Sequence, residues 1–361
     1  MINSVYIHIP FCKSICTYCD FCKFLYNSEW VNDYLNKLEL EIKDRYMDEE
    51  IKTIYIGGGT PSTLKYPELQ RLFEIIKLFN FSENLEFTFE CNVEDITENL
   101  INLLVENNVN RISIGVESFD INNLSLMNRH IDFYDLQNKM SMIRTLGINN
   151  INLDLMYALP NETLKTLKND VKMLLKLNPE HISTYSLILE EHTFLSVNNT
   201  KHISEDIDYE MYKYICKKLK KYSYNHYEVS NFAKEGYESK HNITYWKNKE
   251  YYGFGAGASG YVCGVRYDNT RSLSKYIEAD IFSKKEILSK EDIMDYHIML
   301  GLRLLKGINV DEFNKLYNIN IFERYPLNGL IKYGDIIYQN GYIFINPDKI
   351  YLMNEILSKC V

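Results

Sequence analysis

Short apolar runs rich in β-branched and aromatic residues alternate with longer segments of helical period along most of this chain. The predicted strands are Val5–Ile9, Thr53–Ile56, Leu85–Glu90, Arg111–Val116, Ile151–Met156 and His181–Leu189. The predicted helices between them are Glu29–Arg45, Tyr66–Phe79, Ile96–Asn107, Phe133–Leu146 and Leu164–Leu177. Parallel strands need such crossovers, and six units are too few for a closed eightfold barrel. We predict an α/β fold with an open, partial (β/α)6 barrel; a doubly wound sheet is the alternative.

Three cysteines follow the first predicted strand with C-x3-C-x2-C spacing: Cys12, Cys16 and Cys19. Three thiolates can hold three irons of a [4Fe–4S] cluster and leave the fourth iron open to a substrate or cofactor. A structural zinc site favours two C-x2-C pairs, and the chain has one here. A disulfide framework suits small secreted chains, whereas this chain has 361 residues and 8 cysteines. We therefore predict an iron–sulfur cluster.

Polar residues stand where the next predicted strands end. Gly57–Pro61 follows the second strand, Glu90 ends the third, Glu117 follows the fourth, and Asp154 lies near the end of the fifth. The carboxyl ends of parallel strands meet at one rim, where barrel enzymes place their chemistry. The glycine run lacks the lysine of a phosphate-binding loop, but it permits close backbone approach to a ligand. Taken singly, the run could be a tight turn and the carboxylates could be surface residues or ion-pair partners.

Composition limits the function and the compartment. Hydrophobic residues make up 46% and charged residues 25%, and no apolar run approaches the roughly 18 residues of a membrane span. The N-terminus lacks a signal-peptide pattern, so we expect a cytoplasmic protein in which thiols stay reduced. The net charge of −9 argues against broad nucleic-acid binding.

The chain changes character near residue 291. Ile293–Leu304 and Asp311–Tyr317 have helical spacing, Asn340 and Gly341 predict a hairpin between Ile336–Gln339 and Tyr342–Ile345, and Tyr351–Leu357 closes as a helix. We predict three parts: a barrel at 1–230, a connecting segment at 231–290, and a small, mostly α domain at 291–361. This last domain resembles a winged helix, and we expect it to pack over the barrel mouth.

The cysteine spacing and the following motifs resemble the radical S-adenosylmethionine (SAM) superfamily. Within it, the chain resembles the oxygen-independent coproporphyrinogen oxidase family and its haem-chaperone branch. The matching stretches are Tyr6–Cys12, Gly57–Pro61, Arg111–Phe119, Ile151–Tyr157, Tyr227–Ala233, His241–Trp246 and Gly253–Ala258. The resemblance implies a [4Fe–4S] cluster on Cys12, Cys16 and Cys19. It also implies a SAM site formed by Tyr6, Tyr18, Gly58, Gly59, Thr60, Glu90, Glu117, Arg129 and Asp154.

Three positions qualify this resemblance. The family usually has glutamine where Glu117 stands and proline where Val93 stands. An ionised glutamate cannot donate the hydrogen bonds of a glutamine amide. The oxidase branch has a fourth cysteine two residues after the third, whereas Cys22 lies three residues after Cys19. We expect Cys22 to be unligated, because a fourth thiolate would close the iron that SAM needs. The His241–Trp246 segment resembles a haem-binding motif, in which His241 would be a candidate axial ligand.

Two functions follow from the two branches. A haem chaperone would bind the cluster, SAM and haem, and would pass haem to acceptor haemoproteins. A coproporphyrinogen III dehydrogenase would convert propionates to vinyl groups by radical oxidative decarboxylation. We favour the chaperone, because the dehydrogenase branch carries a substantial segment before its cysteines and only 11 residues precede Cys12. SAM cleavage, a homodimer and membrane contact through partners stay open. A radical SAM enzyme for RNA or peptides, and a structural iron–sulfur protein without SAM, fit less well.

Overall fold

A computed structural model describes residues 2–278 and 281–361, and its centre is a nine-stranded sheet. The six predicted strands form parallel neighbours in chain order at Ser4–Ile9, Glu50–Gly58, Asn80–Cys91, Arg111–Glu117, Asn150–Tyr157 and His181–Ser186. Tyr252–Phe254 adds a parallel strand beside the first. Asn231–Ala233 and Asn225–Glu228 continue antiparallel from the sixth. The partial (β/α)6 barrel is confirmed, since a doubly wound sheet would reverse its strand order.

The helices of the barrel follow its strands nearly as predicted. The five predicted ones span Ser28–Arg45, Tyr66–Ile76, Glu98–Glu106, Phe133–Thr145 and Leu164–Leu177. A sixth, Glu205–Lys221, and short loop helices at Ile121–Leu126 and Phe194–Val197 were not predicted. Polar side chains begin several of them: Asn27 accepts hydrogen bonds from two backbone N–H groups of the first turn, and Thr97 and Thr163 accept one each. Among the described residues, none of the helices is long and apolar enough to cross a membrane.

The barrel strands alternate between apolar and polar side chains. Ile54, Phe89 and Ile112 are buried in the apolar core, which also contains the helix residues Leu35 and Leu38. The residues between them in the strands are polar, and they include Tyr6, His8, Tyr55, Glu90, Arg111, Asn152, Asp154 and His181. Fully covered parallel strands are usually apolar throughout. The polar set therefore faces an inner space that is lined by hydrogen-bonding groups.

Residues 240–278 and 281–287 form structure that the sequence did not predict in detail. Beyond the strand beside Ser4–Ile9, they contain the helices Lys240–Trp246 and Leu273–Glu278 and an antiparallel sheet of Ser259–Val262, Val265–Asn269 and Phe282–Ile287. The cysteine loop carries its own small parallel pair, Phe11–Cys12 with Phe24–Leu25.

The C-terminal part has a separate apolar core that includes Ile298, Phe313 and Ile343. Its elements are the helices Lys290–Gly301, Val310–Tyr317, Ile321–Arg324, Leu327–Lys332 and Met353–Leu357, the 3-10 helix Pro347–Leu352, and the strands Ile308–Asn309, Ile336–Gln339 and Tyr342–Ile345. The predicted hairpin is present, and Asn340 and Gly341 both have positive φ, at 52° and 79°.

The C-terminal part lies beside the barrel and does not cover its mouth. Leu305 donates a backbone hydrogen bond to Tyr227, and Tyr351 packs on Tyr209 and Tyr212 of the last barrel helix. Among the described residues, none after Asn242 lines the barrel cavity. The expectation that this part packs over the mouth is therefore wrong.

Candidate functional site

A cavity of about 1010 Å³ opens at the carboxyl ends of the barrel strands. Eleven of the predicted site residues line it: Cys12, Cys16, Tyr18, Cys19, Gly58, Gly59, Thr60, Glu90, Glu117, Arg129 and Asp154. Two of the predicted residues, Tyr6 and His241, lie behind this surface. Five separate strand-to-helix connections thus contribute to one space, as parallel-strand geometry requires.

The three cysteines lie on the loop after the first strand as free thiols. Thr60 Oγ1 lies 3.6 Å from the Cys12 Sγ, and Arg129 Nη1 lies 3.4 Å from the Cys16 Sγ. Burial raises the pKa of Cys12 to about 11. In the part of the chain that is described, no three such side chains converge on a point suitable for a single metal ion. All three thiols line the same cavity, where they are available to a metal cluster.

Cys22 lies away from the cavity. Its side chain is 6% exposed, and its Sγ donates to the backbone oxygen of Arg271 at 3.4 Å. A Cβ on Gly257, which has φ +78°, would lie 2.3 Å from the Cys22 Cβ, so this part of the cysteine loop packs tightly on protein. The side chain of Cys22 thus faces protein, and its lack of a ligand role stays a prediction.

The glycine run Gly57–Gly59 contacts the rest of the protein closely, and Gly58 and Gly59 also line the cavity. Gly58 has φ +110° and donates its N–H to Glu90 Oε2 at 3.0 Å, and Gly59 N–H donates to the Ile9 carbonyl at 2.9 Å. A Cβ on Gly57 would lie 2.6 Å from the Glu90 carboxyl carbon. The N–H groups of Gly58 and Gly59 are thus bonded within the protein, and contact of this run with SAM stays a prediction.

The floor of the cavity carries the half-buried carboxylates of Glu90 and Asp154. Glu90 accepts from the Tyr55 hydroxyl at 2.6 Å, and Asp154 accepts from Asn152 Nδ2 at 2.8 Å. Burial raises the pKa of Glu90 to about 7 and also raises the pKa of Asp154. Buried acids without full compensation are costly, so their clustering in a cleft marks a functional site.

Arg129 and Glu117 form the side of the cavity nearest the cysteines. Their Nη1 and Oε1 atoms are 4.0 Å apart, and Arg129 Nη2 also donates to Asn92 Oδ1 at 3.2 Å. Glu117 has φ +67°, a conformation that non-glycine residues seldom adopt and that often accompanies function. The buried Nε atoms of Arg129 and Arg111 find no partner among the described residues, which leaves donors for a bound anion or hydroxyl.

Tyr6 and His241 pack against Tyr55, which lines the cavity, and do not line the cavity themselves. The Tyr6 hydroxyl bonds to His8 Nδ1 at 2.9 Å. His241 is 1% exposed, and its ring nitrogens bond to Thr53 Oγ1 at 2.8 Å and to the Tyr245 hydroxyl at 2.7 Å. Axial haem ligation by His241 stays a prediction, and it would require at least one of these bonds to open.

Sequence reasoning missed several polar residues of the cavity. They include Tyr55, Asn92, Arg111, His130, Asn152, Ser183 and Tyr185. The available signal was the alternation within the strands: Tyr55 stands between Ile54 and Ile56, and Arg111 precedes Ile112. An interpretation of these strands as apolar runs overlooks this alternation, and it therefore does not identify their inward-facing polar residues as part of the site.

Comparison with known proteins agrees with this geometry. The radical SAM superfamily matches residues 6–174. Coproporphyrinogen III oxidase (HemN) from Escherichia coli, described as a radical SAM enzyme, shares the fold with a TM-score of 0.87 at 20% identity, covering 99% of this chain and 89% of that one. The match and the three-cysteine cavity thus define residues 6–174 as a radical SAM domain.

Relatives of higher sequence identity show to which family within this class the chain belongs. The protein named heme chaperone HemW from Lactococcus lactis is 41% identical over 331 residues, which cover 90% of this chain and 87% of that protein. The protein of the same name from Bacillus subtilis is 37% identical and covers 99% of this chain and 98% of its own length. The chain belongs to the HemW family.

Proposed function

We propose that this protein is a haem chaperone that binds a [4Fe–4S] cluster, SAM and haem, and transfers haem to acceptor haemoproteins. The observation that carries the proposal is 41% identity to a protein named heme chaperone HemW along nearly the whole chain. The cavity supports it, because three free thiols and a rim of polar groups open onto one space.

The residues of the cavity fit the two cofactors. Cys12, Cys16 and Cys19 would hold the cluster, which supplies a redox centre and an open iron for SAM. The unpartnered Nε of Arg129 is suited to a carboxylate or hydroxyl oxygen of SAM. An ammonium group needs acceptors, so carbonyl oxygens of the glycine run and the Glu90 carboxylate are the groups we assign to the SAM amine.

The test is an anaerobic titration of the cluster-reconstituted protein with haem, followed by visible spectroscopy. Haem-loaded protein is then mixed with an apo-haemoprotein, and a parallel sample receives SAM, a reductant and coproporphyrinogen III. We expect stoichiometric haem binding, transfer to the acceptor and no vinyl product. Formation of vinyl product without stable haem binding would assign the coproporphyrinogen III dehydrogenase activity instead.

A further inference from the structure

One side of the cavity mouth is apolar and exposed, unlike the floor. Ile121 is 67% exposed and Ile188 is 66% exposed, and both line the cavity together with Met156, Tyr185 and His130. We call these five residues the outer wall. Exposed apolar side chains at the mouth of a polar cavity are candidates for a binding surface.

The outer wall rests on a small core of its own. The helix Ile121–Leu126 and the loop after the sixth strand pack on one apolar cluster, formed by Leu124, Met127, Met156, Leu159, Leu187 and Leu195. The two isoleucines are therefore held by buried neighbours on elements that meet, and their exposure is built into the packing of the mouth.

His130 is the histidine that this wall presents. It is exposed, it lines the cavity, and no hydrogen bond or ion pair engages its ring within the described residues. Five other histidines bond a ring nitrogen to protein: His8, His181, His226, His241 and His297. His192 and His202 are exposed but do not line the cavity. Among the described residues, His130 is the only histidine that both lines the cavity and has no hydrogen bond at its ring.

The chemistry of the wall matches a metalloporphyrin. A haem offers a flat apolar face, an iron that takes an imidazole nitrogen, and two carboxylates. The two propionates are charged and costly to bury, so they would point out of the mouth into water. SAM is small and polar and suits the floor, which leaves the apolar wall to a different ligand.

We propose that His130 is the axial ligand of the haem iron and that Ile121 and Ile188 cover one face of the macrocycle. This inference rests on the proposed function, and it assigns the axial position to His130 and not to His241.

The test titrates cluster-reconstituted protein with ferric haem and compares wild type with His130→Ala, His130→Gln, His241→Ala and the matched exposed control His202→Ala. Replacing a direct ligand should weaken binding by about tenfold or more, because even indirect contacts to a metal ligand are worth that much. Both His130 variants should weaken haem binding and change its visible spectrum. Free imidazole should restore the spectrum of His130→Ala, and the other two variants should match wild type.

The two proposals fail in different ways. Wild type that binds no haem overturns the proposed function together with the inference. Haem binding that both His130 variants retain unchanged overturns the inference alone, as does a spectrum lost only in His241→Ala. Because His130 is exposed, its replacement leaves no cavity in the core, and the cluster's absorbance in each variant verifies that the cavity is intact.

Discussion

The barrel and the C-terminal part handle buried charge in opposite ways. The barrel buries Arg111, Glu117, Asp170 and Glu228 among other ionisable groups, whereas no charged side chain of residues 291–361 is buried. Burying charges costs free energy unless they are paired or perform a task. Arg111 and Glu117 line the cavity, so part of the buried charge of the barrel belongs to the site, while the C-terminal part is stabilised by apolar packing.

The largest effect should come from the cysteines. We expect the triple replacement of Cys12, Cys16 and Cys19 by alanine to abolish the cluster's visible absorbance after anaerobic reconstitution, since no thiolate of the loop site remains. The matched control is Cys263→Ala, which changes an exposed thiol away from the cavity. A full cluster in the triple variant would break the ligand assignment.

The next largest effect should come from a substitution in the C-terminal core, which should lower stability and leave cluster loading unchanged. Phe313 is 1% exposed within this core, so Phe313→Ala should lower the free energy of unfolding of that part by about 3–5 kcal/mol. Urea unfolding measures the loss, and Leu316→Ala on the same helix, which is exposed, should change it by about 0.5 kcal/mol or less. Loss of cluster loading in Phe313→Ala under native conditions would show that the two regions depend on each other.

A pH effect should arise where the two regions meet. Glu228 is fully buried beside Leu304, and burial raises its pKa to about 7. Its folded form therefore keeps a proton that the unfolded chain loses, so the stability it contributes falls as pH rises from about 4.5 to 7. Glu228→Gln should flatten the stability profile of the cluster-free protein in this window. The exposed control Glu235→Gln should leave the profile as in wild type, and an unchanged slope in Glu228→Gln would contradict the assignment.

The smallest effect concerns the hairpin. Asn340 has φ 52°, where alanine is strained, so Asn340→Ala should cost about 1 kcal/mol in urea unfolding. Asn340→Gly should be close to neutral, because glycine adopts this conformation freely. Equal losses in both variants would indicate that the asparagine side chain, and not the backbone angle, stabilises the turn.

The sequence predicted the order of strands and helices better than it predicted the surroundings of individual site residues. Strands, helices and the Asn340 hairpin were recoverable because their local periods and turn residues are intrinsic to the chain. The burial of His241 and the left-handed conformation of Glu117 were not, since both depend on partners remote in sequence, such as Thr53 for His241. Strand Tyr252–Phe254 was not predicted, because three residues are too few to show the alternation of apolar and polar side chains that is typical of a strand.

That short strand has a consequence for the order of events during synthesis. Tyr252–Phe254 pairs with Val5–Ile7, about as far apart as the chain allows within the barrel. The strand that leads into the cysteine loop therefore has an open edge until residue 254 has left the ribosome, and pairings of such long range form slowly. The cysteine loop is therefore synthesised long before the strand that pairs beside Ser4–Ile9, so a cluster is best delivered after that strand has paired.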